Sequence, residues 1–179
     1  MPTFRKVGER EVYDGPVIRL VVATFAGPDG ETFERDVVHH PGAVSVVPLS
    51  DDGEVVMVRQ YRAAVDADVL EIPAGKRDVP GEAPEVTAQR ELGEEVGLQA
   101  GRLELLARFH NSLGFSDEES FVFLGTELTD VPADLQGIEE QHMSLERIRL
   151  DDVPRLIAEG ALTDAKSIIG LTLARERTG

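Results

Sequence analysis

The chain has 179 residues, 41% hydrophobic and 29% charged, a size and mixture that point to one globular domain able to bury its own core. It has no Cys, which excludes disulfide frameworks, thiolate zinc sites and cysteine nucleophiles, and is compatible with a reducing cytoplasm. A formal net charge of −16 argues against nucleic-acid binding, which needs a basic footprint, so a small anionic substrate would need local Arg or Lys groups or a bound cation.

Residues 1–10 are polar and charged, and the apolar stretch 17–26 is interrupted by Arg19. Neither a secretory signal nor a membrane span is therefore expected. Residues 10–40 form an expected β meander: Val12-Tyr13, then Val17 to Phe25, a Gly27-Pro28-Asp29-Gly30 turn, and alternating Thr32 to His39. Ala43 to Leu49 and Glu54 to Tyr61 read as a hairpin across Ser50-Asp51-Asp52-Gly53. After a short strand at Val69 to Ile72, the Pro and Gly content of residues 73–81 predicts a loop with no regular element.

From Ala83 to Val96 the period becomes helical. Ala88, Leu92 and Val96 make one apolar stripe, Pro84 suits the first turn and Gly97 the stop. Strands follow at Leu103 to His110 and Ser120 to Leu128, then an irregular acidic stretch to about Gln141 and a strand at Met143 to Leu150. Helices at Asp152 to Glu159 and Thr163 to Arg175 close the chain. Antiparallel strands mixed with a few helices indicate α+β layers.

The helix bearing Glu91, Glu94 and Glu95 holds the chemistry. Glu91 and Glu95 lie one turn apart at the edge of the apolar stripe, where half-burial is expected. Two carboxylates about 5.5 Å apart repel by roughly 3 kcal/mol at an effective dielectric near 20. A hard divalent cation such as Mg2+ offsets that repulsion and prefers oxygen ligands. Taken alone, a Glu-rich helix is more ordinarily a solvated acidic face.

The combined string Gly75, Glu82, then Arg90-Glu91-Leu92-Gly93-Glu94-Glu95-Val96-Gly97-Leu98 closely resembles the Nudix box. From Glu82 onward it keeps that family's spacing, while the loop between Gly75 and Glu82 is one residue longer than usual. The resemblance implies Nudix-type pyrophosphate hydrolysis on an α/β/α sandwich with a mixed sheet, preceded by an N-terminal antiparallel β segment. It further implies Glu91, Glu94, Glu95 and the Ala74 carbonyl as metal ligands, with Arg90 paired to Glu82 to orient them. The implied cofactor is Mg2+, with Mn2+ as a possible substitute.

Beyond the box the chain is similar to the bacterial ADP-ribose pyrophosphatase branch at Arg35 to His39, Arg59-Gln60-Tyr61-Arg62, Glu71 to Gly75, Gly114-Phe115-Ser116-Asp117-Glu118, Glu139-Glu140 and Asp164 to Leu173. That resemblance implies ADP-ribose as substrate, cleaved to AMP and ribose 5-phosphate. Arg35, Arg62, Glu71 and Phe115 become candidate substrate-binding residues, and a guanidinium fork suits phosphate or ribose oxygens. Glu140 is the candidate base, with Glu139 as its rival, and Arg59 reads as structural. Leu113 stands where that branch has Pro, which keeps other nucleoside diphosphate sugars such as GDP-mannose within reach.

The same branch implies a cytoplasmic homodimer, with residues 1–40 as a dimerisation and substrate segment and 41–179 as the hydrolase domain. Arg35 would then act in the partner's pocket. A non-catalytic nucleotide-sensing module is the alternative from another class. His39 and His40 point to opposite faces of a strand, and there is no His-Glu-x-x-His helix, so a zinc hydrolase is not expected.

Overall fold

The structure is a computed structural model that describes residues 3–135 and 137–178; the side chain of Glu139 lies outside the described residues. The chain divides into two compact units, residues 1–42 with 109–119, and residues 43–108 with 120–179.

The first unit is an antiparallel sheet of β1 (Arg5–Asp14), β2 (Arg19–Ala26) and β3 (Thr32–His39), in the order β1-β2-β3. In β2, Val21 and Ala23 are fully buried, the alternation expected of a strand with one covered face. β1 is exposed along its whole length and starts at Arg5, earlier than the Val12-Tyr13 signal suggested. Its pairing with β2, broken by two bulges, makes it a strand, and a strand without a buried face leaves no hydrophobic period to read. Phe33 stacks on Phe25 at 5.6 Å and meets Phe4 edge-on at 5.9 Å.

The 112–118 loop is tied to the end of β3. The Val38 N–H donates to the Phe115 carbonyl at 2.7 Å, and the Asp117 N–H to the Val38 carbonyl at 3.1 Å. The Asp117 carboxylate holds the His39 ring at 2.5 Å and accepts the His40 N–H at 3.0 Å. His39 through its ring and His40 through its backbone N–H thus fasten the loop.

The second unit contains a mixed sheet in the order β7-β4-β9-β8: β4 (Ala43–Pro48), β7 (Ala74–Lys76), β8 (Leu98–His110, of which residues 109 and 110 belong to the first unit) and β9 (Glu119–Asp130, of which residue 119 does). β4 runs parallel to β9 and antiparallel to β7. A second sheet, β10-β5-β6, is built from β5 (Glu54–Arg62), β6 (Ala67–Glu71) and β10 (Ser144–Arg149), so the hairpin expected between β4 and β5 is reduced to a single Leu49–Val55 bridge and the two strands enter different sheets.

β7 corrects the expectation of a loop across residues 73–81. Three residues pair antiparallel with β4, Val44 opposite Gly75, a pairing between distant segments that the local Pro and Gly content does not reveal. β8 likewise begins earlier than residue 103, and the stretch read as irregular contains a short helix, α2 (Ile138–Gln141).

Helix α1 (Pro84–Val96) lays Ala88, Leu92 and Val96 on Val44, Val46 and Phe123. Gly97 ends it at φ 66°, its N–H returning to the Gly93 carbonyl at 3.1 Å. Side chains alternate across a strand, so Val47 and Val122 point to the opposite face. There helix α4 (Ala165–Thr178) packs, with Gly170 against Val47, Val122 and Ile72. Its buried face is Ser167, Gly170, Leu171 and Ala174, whereas Thr172 is exposed. Helices therefore cover both faces of the mixed sheet, the expected sandwich. A 3₁₀ turn at Leu150–Asp152 and helix α3 (Val153–Ala158) precede α4.

Among the described residues no helix is long and apolar enough to cross a membrane.

A Cβ at Gly170 would stand 2.7 Å from Val122 Cγ1 and 3.1 Å from Val47 Cγ2. Gly170→Ala gains about 1 kcal/mol of helix propensity but overpacks the core by about 1–3 kcal/mol. Thermal denaturation is expected to show a net loss, with the midpoint lowered by several degrees.

Candidate active site

The lower turns of α1 lie directly over β7. A methyl group on Gly75 would overlap the Glu91 carboxyl, so the absence of a side chain is what lets the helix carboxylates reach the strand. Glu95 goes deeper than the half-burial expected of it, with 6% exposure, and its Oε2 accepts the Ala74 N–H at 2.9 Å. The local signal was correct about the edge of the stripe. It could not foresee how closely β7 approaches.

Arg90 organises the outer carboxylates. One guanidinium nitrogen donates to Glu91 at 2.8 Å and Glu94 at 3.0 Å, and the other to Glu82 at 3.2 Å, with Asp78 at 3.9 Å. Burial works against the guanidinium charge, but Glu82, Glu91 and Glu94 more than compensate and hold Arg90 firmly protonated. The Arg90 hydrogen bond, helped by Thr87, pulls the Glu82 carboxyl below its ordinary value.

The inner pair behaves oppositely. Burial pushes the Glu95 carboxyl up to about 8; the Ala74 N–H opposes the shift, and the nearby charges of Glu91 and Glu140 add to it. Burial also raises Glu91, with Arg90 opposing and Glu94 and Asp78 reinforcing. The influence of Glu140 places the residue from α2 in the electrostatic reach of the α1 carboxylates, some 45 residues away in sequence. Its own Oε2 accepts the Gly137 N–H at 3.2 Å. Glu139, the rival base, has its side chain outside the described residues.

This donor set fits a hard divalent cation. Glu91, Glu94 and Glu95 offer only oxygen, and two of the three are destabilised as anions. Among the described residues no three of these groups already form a cation cage, because Glu91 and Glu94 are turned onto Arg90.

Arg62, expected at the substrate, and Glu71, expected at the substrate or in support of the metal shell, are paired. Arg62 Nε donates to Glu71 Oε1 at 2.7 Å and Nη2 to Oε2 at 2.6 Å. Burial opposes the charge on Glu71, yet Arg62 and Lys166 outweigh it and lower its carboxyl. Lys166, which sequence reasoning passed over, contacts Glu71 from the first turn of α4. The signal available for it was a cation where the helix dipole disfavours one. Arg59 pairs with Glu146 at 2.5 Å and joins β5 to β10, in keeping with a structural part.

Arg35 and Phe115 belong to the first unit. They line a cavity of about 420 Å³ together with Phe25, Phe33, His110 and Leu113. The Arg35 guanidinium lies 4.7 Å from the centre of the Phe33 ring, and Leu113 and Phe115 are exposed.

A carboxylate helix over a glycine strand, oriented by one arginine inside a two-faced sandwich, is the arrangement of a Nudix domain. The NUDIX domain family matches residues 39–169, and the chain belongs to that family. It is 36% identical over 163 residues to an ADP-ribose pyrophosphatase of Bacillus subtilis (strain 168), covering 91% of this chain and 88% of that protein. It is 35% identical over 168 residues to an ADP-ribose pyrophosphatase of Mycobacterium tuberculosis (strain ATCC 25618 / H37Rv), covering 94% and 81%. A crystal structure of an ADP compounds hydrolase superposes with a TM-score of 0.83 at 21% identity, covering 98% of this chain and 94% of that one, a likeness of fold.

The raised carboxyl of Glu95 makes metal-free stability depend on pH. The folded chain holds a proton that the unfolded chain releases near 4.5, so stability is fully present below that value and is lost as pH rises toward about 8. Melting curves in EDTA are expected to fall across this window, and Glu95→Gln is expected to flatten the decline. A wild-type curve that rises with pH throughout would contradict it.

Proposed function

We propose that this chain is a magnesium-dependent pyrophosphohydrolase that cleaves ADP-ribose to AMP and ribose 5-phosphate. The observation that carries the reading is the buried Glu95 carboxyl, bonded to the Ala74 N–H of β7 beside Glu91. The names of the two ADP-ribose pyrophosphatases, each similar over most of its length, support the substrate.

Glu91, Glu94, Glu95 and the Ala74 carbonyl would hold the cation, which supplies charge neutralisation for the pyrophosphate and polarises it toward attack. Arg90 keeps Glu82, Glu91 and Glu94 in place around it. Arg62 presents the donors not used on Glu71 to phosphate oxygens. Glu140 takes the proton from a water whose oxygen bonds to one phosphorus, as the bond from that phosphorus to the bridging oxygen breaks. Closure of the segment around α2 brings this base to the substrate.

We further assign residues 1–40 to dimerisation and substrate binding, and 41–179 to hydrolysis, in a cytoplasmic homodimer. The exposed Val7, Val12 and Tyr13 along β1, with Phe4 just before it, support a partner-facing strand. Arg35 would serve the partner's pocket.

Purified protein with MgCl2 is to be offered ADP-ribose, ADP-sugars, GDP-mannose and dinucleotides, and nucleoside monophosphate measured. ADP-ribose is expected to turn over best, and preference for GDP-mannose would transfer the substrate assignment to the GDP-sugars. Binding without product across the panel would favour a sensing module. Glu95→Gln is expected to lose turnover by about a hundredfold or more while keeping its fold, as removal of a metal ligand requires. Wild-type turnover in that variant would overturn the metal assignment.

A further inference from the structure

Helix α4 begins beside the Arg62–Glu71 pair, and its first turn is built unusually. Asp164 precedes it and caps it, with Oδ2 accepting the Ser167 N–H at 2.9 Å and the Ser167 hydroxyl at 2.5 Å. Ser167, fully buried, in turn accepts the Ile72 N–H at 2.8 Å, which ties the helix start to the residue after Glu71. Between Asp164 and Ser167 stands Lys166, its Nζ 3.0 Å from Asp164 Oδ2 and in contact with Glu71 Oε2.

A cation in a first helical turn opposes the helix dipole, so helix stability does not explain Lys166. Neutralising Glu71 does not require it either, since Arg62 already makes a two-point ion pair there. What a second cation adds is a fixed position. Glu71 is 2% exposed, and its two oxygens are claimed from two elements, β5 through Arg62 and α4 through Lys166. Arg62 uses only Nε and Nη2 on Glu71, and its side chain remains 42% exposed, so Nη1 takes no part in the ion pair.

We propose that Lys166, held by Asp164, is a positioning residue that locks Glu71 so that Arg62 presents its outer edge to the substrate's phosphates. It also keeps Glu71 paired when the guanidinium shifts toward an arriving anion, which would otherwise leave a buried carboxylate alone. The proposal deepens the function given above, in that it rests on Arg62 as a phosphate-binding group.

The test is a double-mutant cycle on ADP-ribose binding to the full chain, followed by isothermal titration without added metal so that nothing is cleaved. Lys166→Gln is expected to weaken binding about fivefold or more, with Lys166→Arg restoring it to within about twofold, the range of coupling between neighbouring groups. In an Arg62→Gln background, Lys166→Gln should change affinity by less than about twofold, because both substitutions remove the same contact. If Lys166→Gln loses its fold by circular dichroism, Lys166→Met, which keeps the aliphatic stem, serves the same comparison. Unchanged affinity in a folded Lys166 variant, or losses that multiply independently of Arg62, would overturn the proposal. Failure to form AMP with magnesium while ADP-ribose still binds would overturn the function and leave this cycle readable, whereas no binding of ADP-ribose by the wild-type chain would overturn both.

Discussion

The close contact between α1 and β7 is the constraint on which the site depends. Gly75 has no side chain, so the Glu91 carboxyl occupies the space where one would be, and the Ala74 N–H reaches Glu95. Carboxylates on a surface helix would be solvated and ordinary in their acidity. Pressed against a strand, they lose water, and the chain must offset that loss with a proton or a cation. The apolar stripe of Ala88, Leu92 and Val96 supplies the packing that holds the helix there. The core and the site are therefore built on two edges of one helix.

In a chain of net charge −16, the few cations near the site decide its polarity. Arg90 gathers Glu82, Glu91 and Glu94, while Arg62 and Lys166 converge on Glu71. Each arrangement leaves a carboxylate oriented without making the site basic. Glu95 faces neither arginine through a hydrogen bond; its partner is a backbone N–H. Glu91 and Glu94 are thus held by a protein cation, whereas the buried Glu95 is held by the backbone of β7.

The parts of this design that depend on local periodicity were legible in the sequence. The α1 stripe, its Gly97 stop, the placement of Glu91 and Glu95 on one edge and most strands follow from spacing alone. The motif around Glu82 and Arg90 identified the family before any contact was visible. What stayed hidden depends on approach between elements distant in sequence. β7 pairs with β4, some 30 residues earlier; Gly75 leaves room for Glu91 above it; Glu95 is bonded to the β7 backbone; Arg62 and Glu71 pair across two strands. β1 escaped because an exposed strand has no apolar alternation, and nothing local indicates that residues 109–119 join the N-terminal unit. Lys166 escaped because its partner Glu71 lies 95 residues away.

The proposed function has Glu95 exchange a proton for a divalent cation. Magnesium binding measured calorimetrically at pH 7, in two buffers of different ionisation enthalpy, tests it most directly. A carboxyl held near 8 should release about one proton as the cation binds, and the release should vanish in Glu95→Gln. Magnesium binding with no proton release in the wild-type protein would contradict the account.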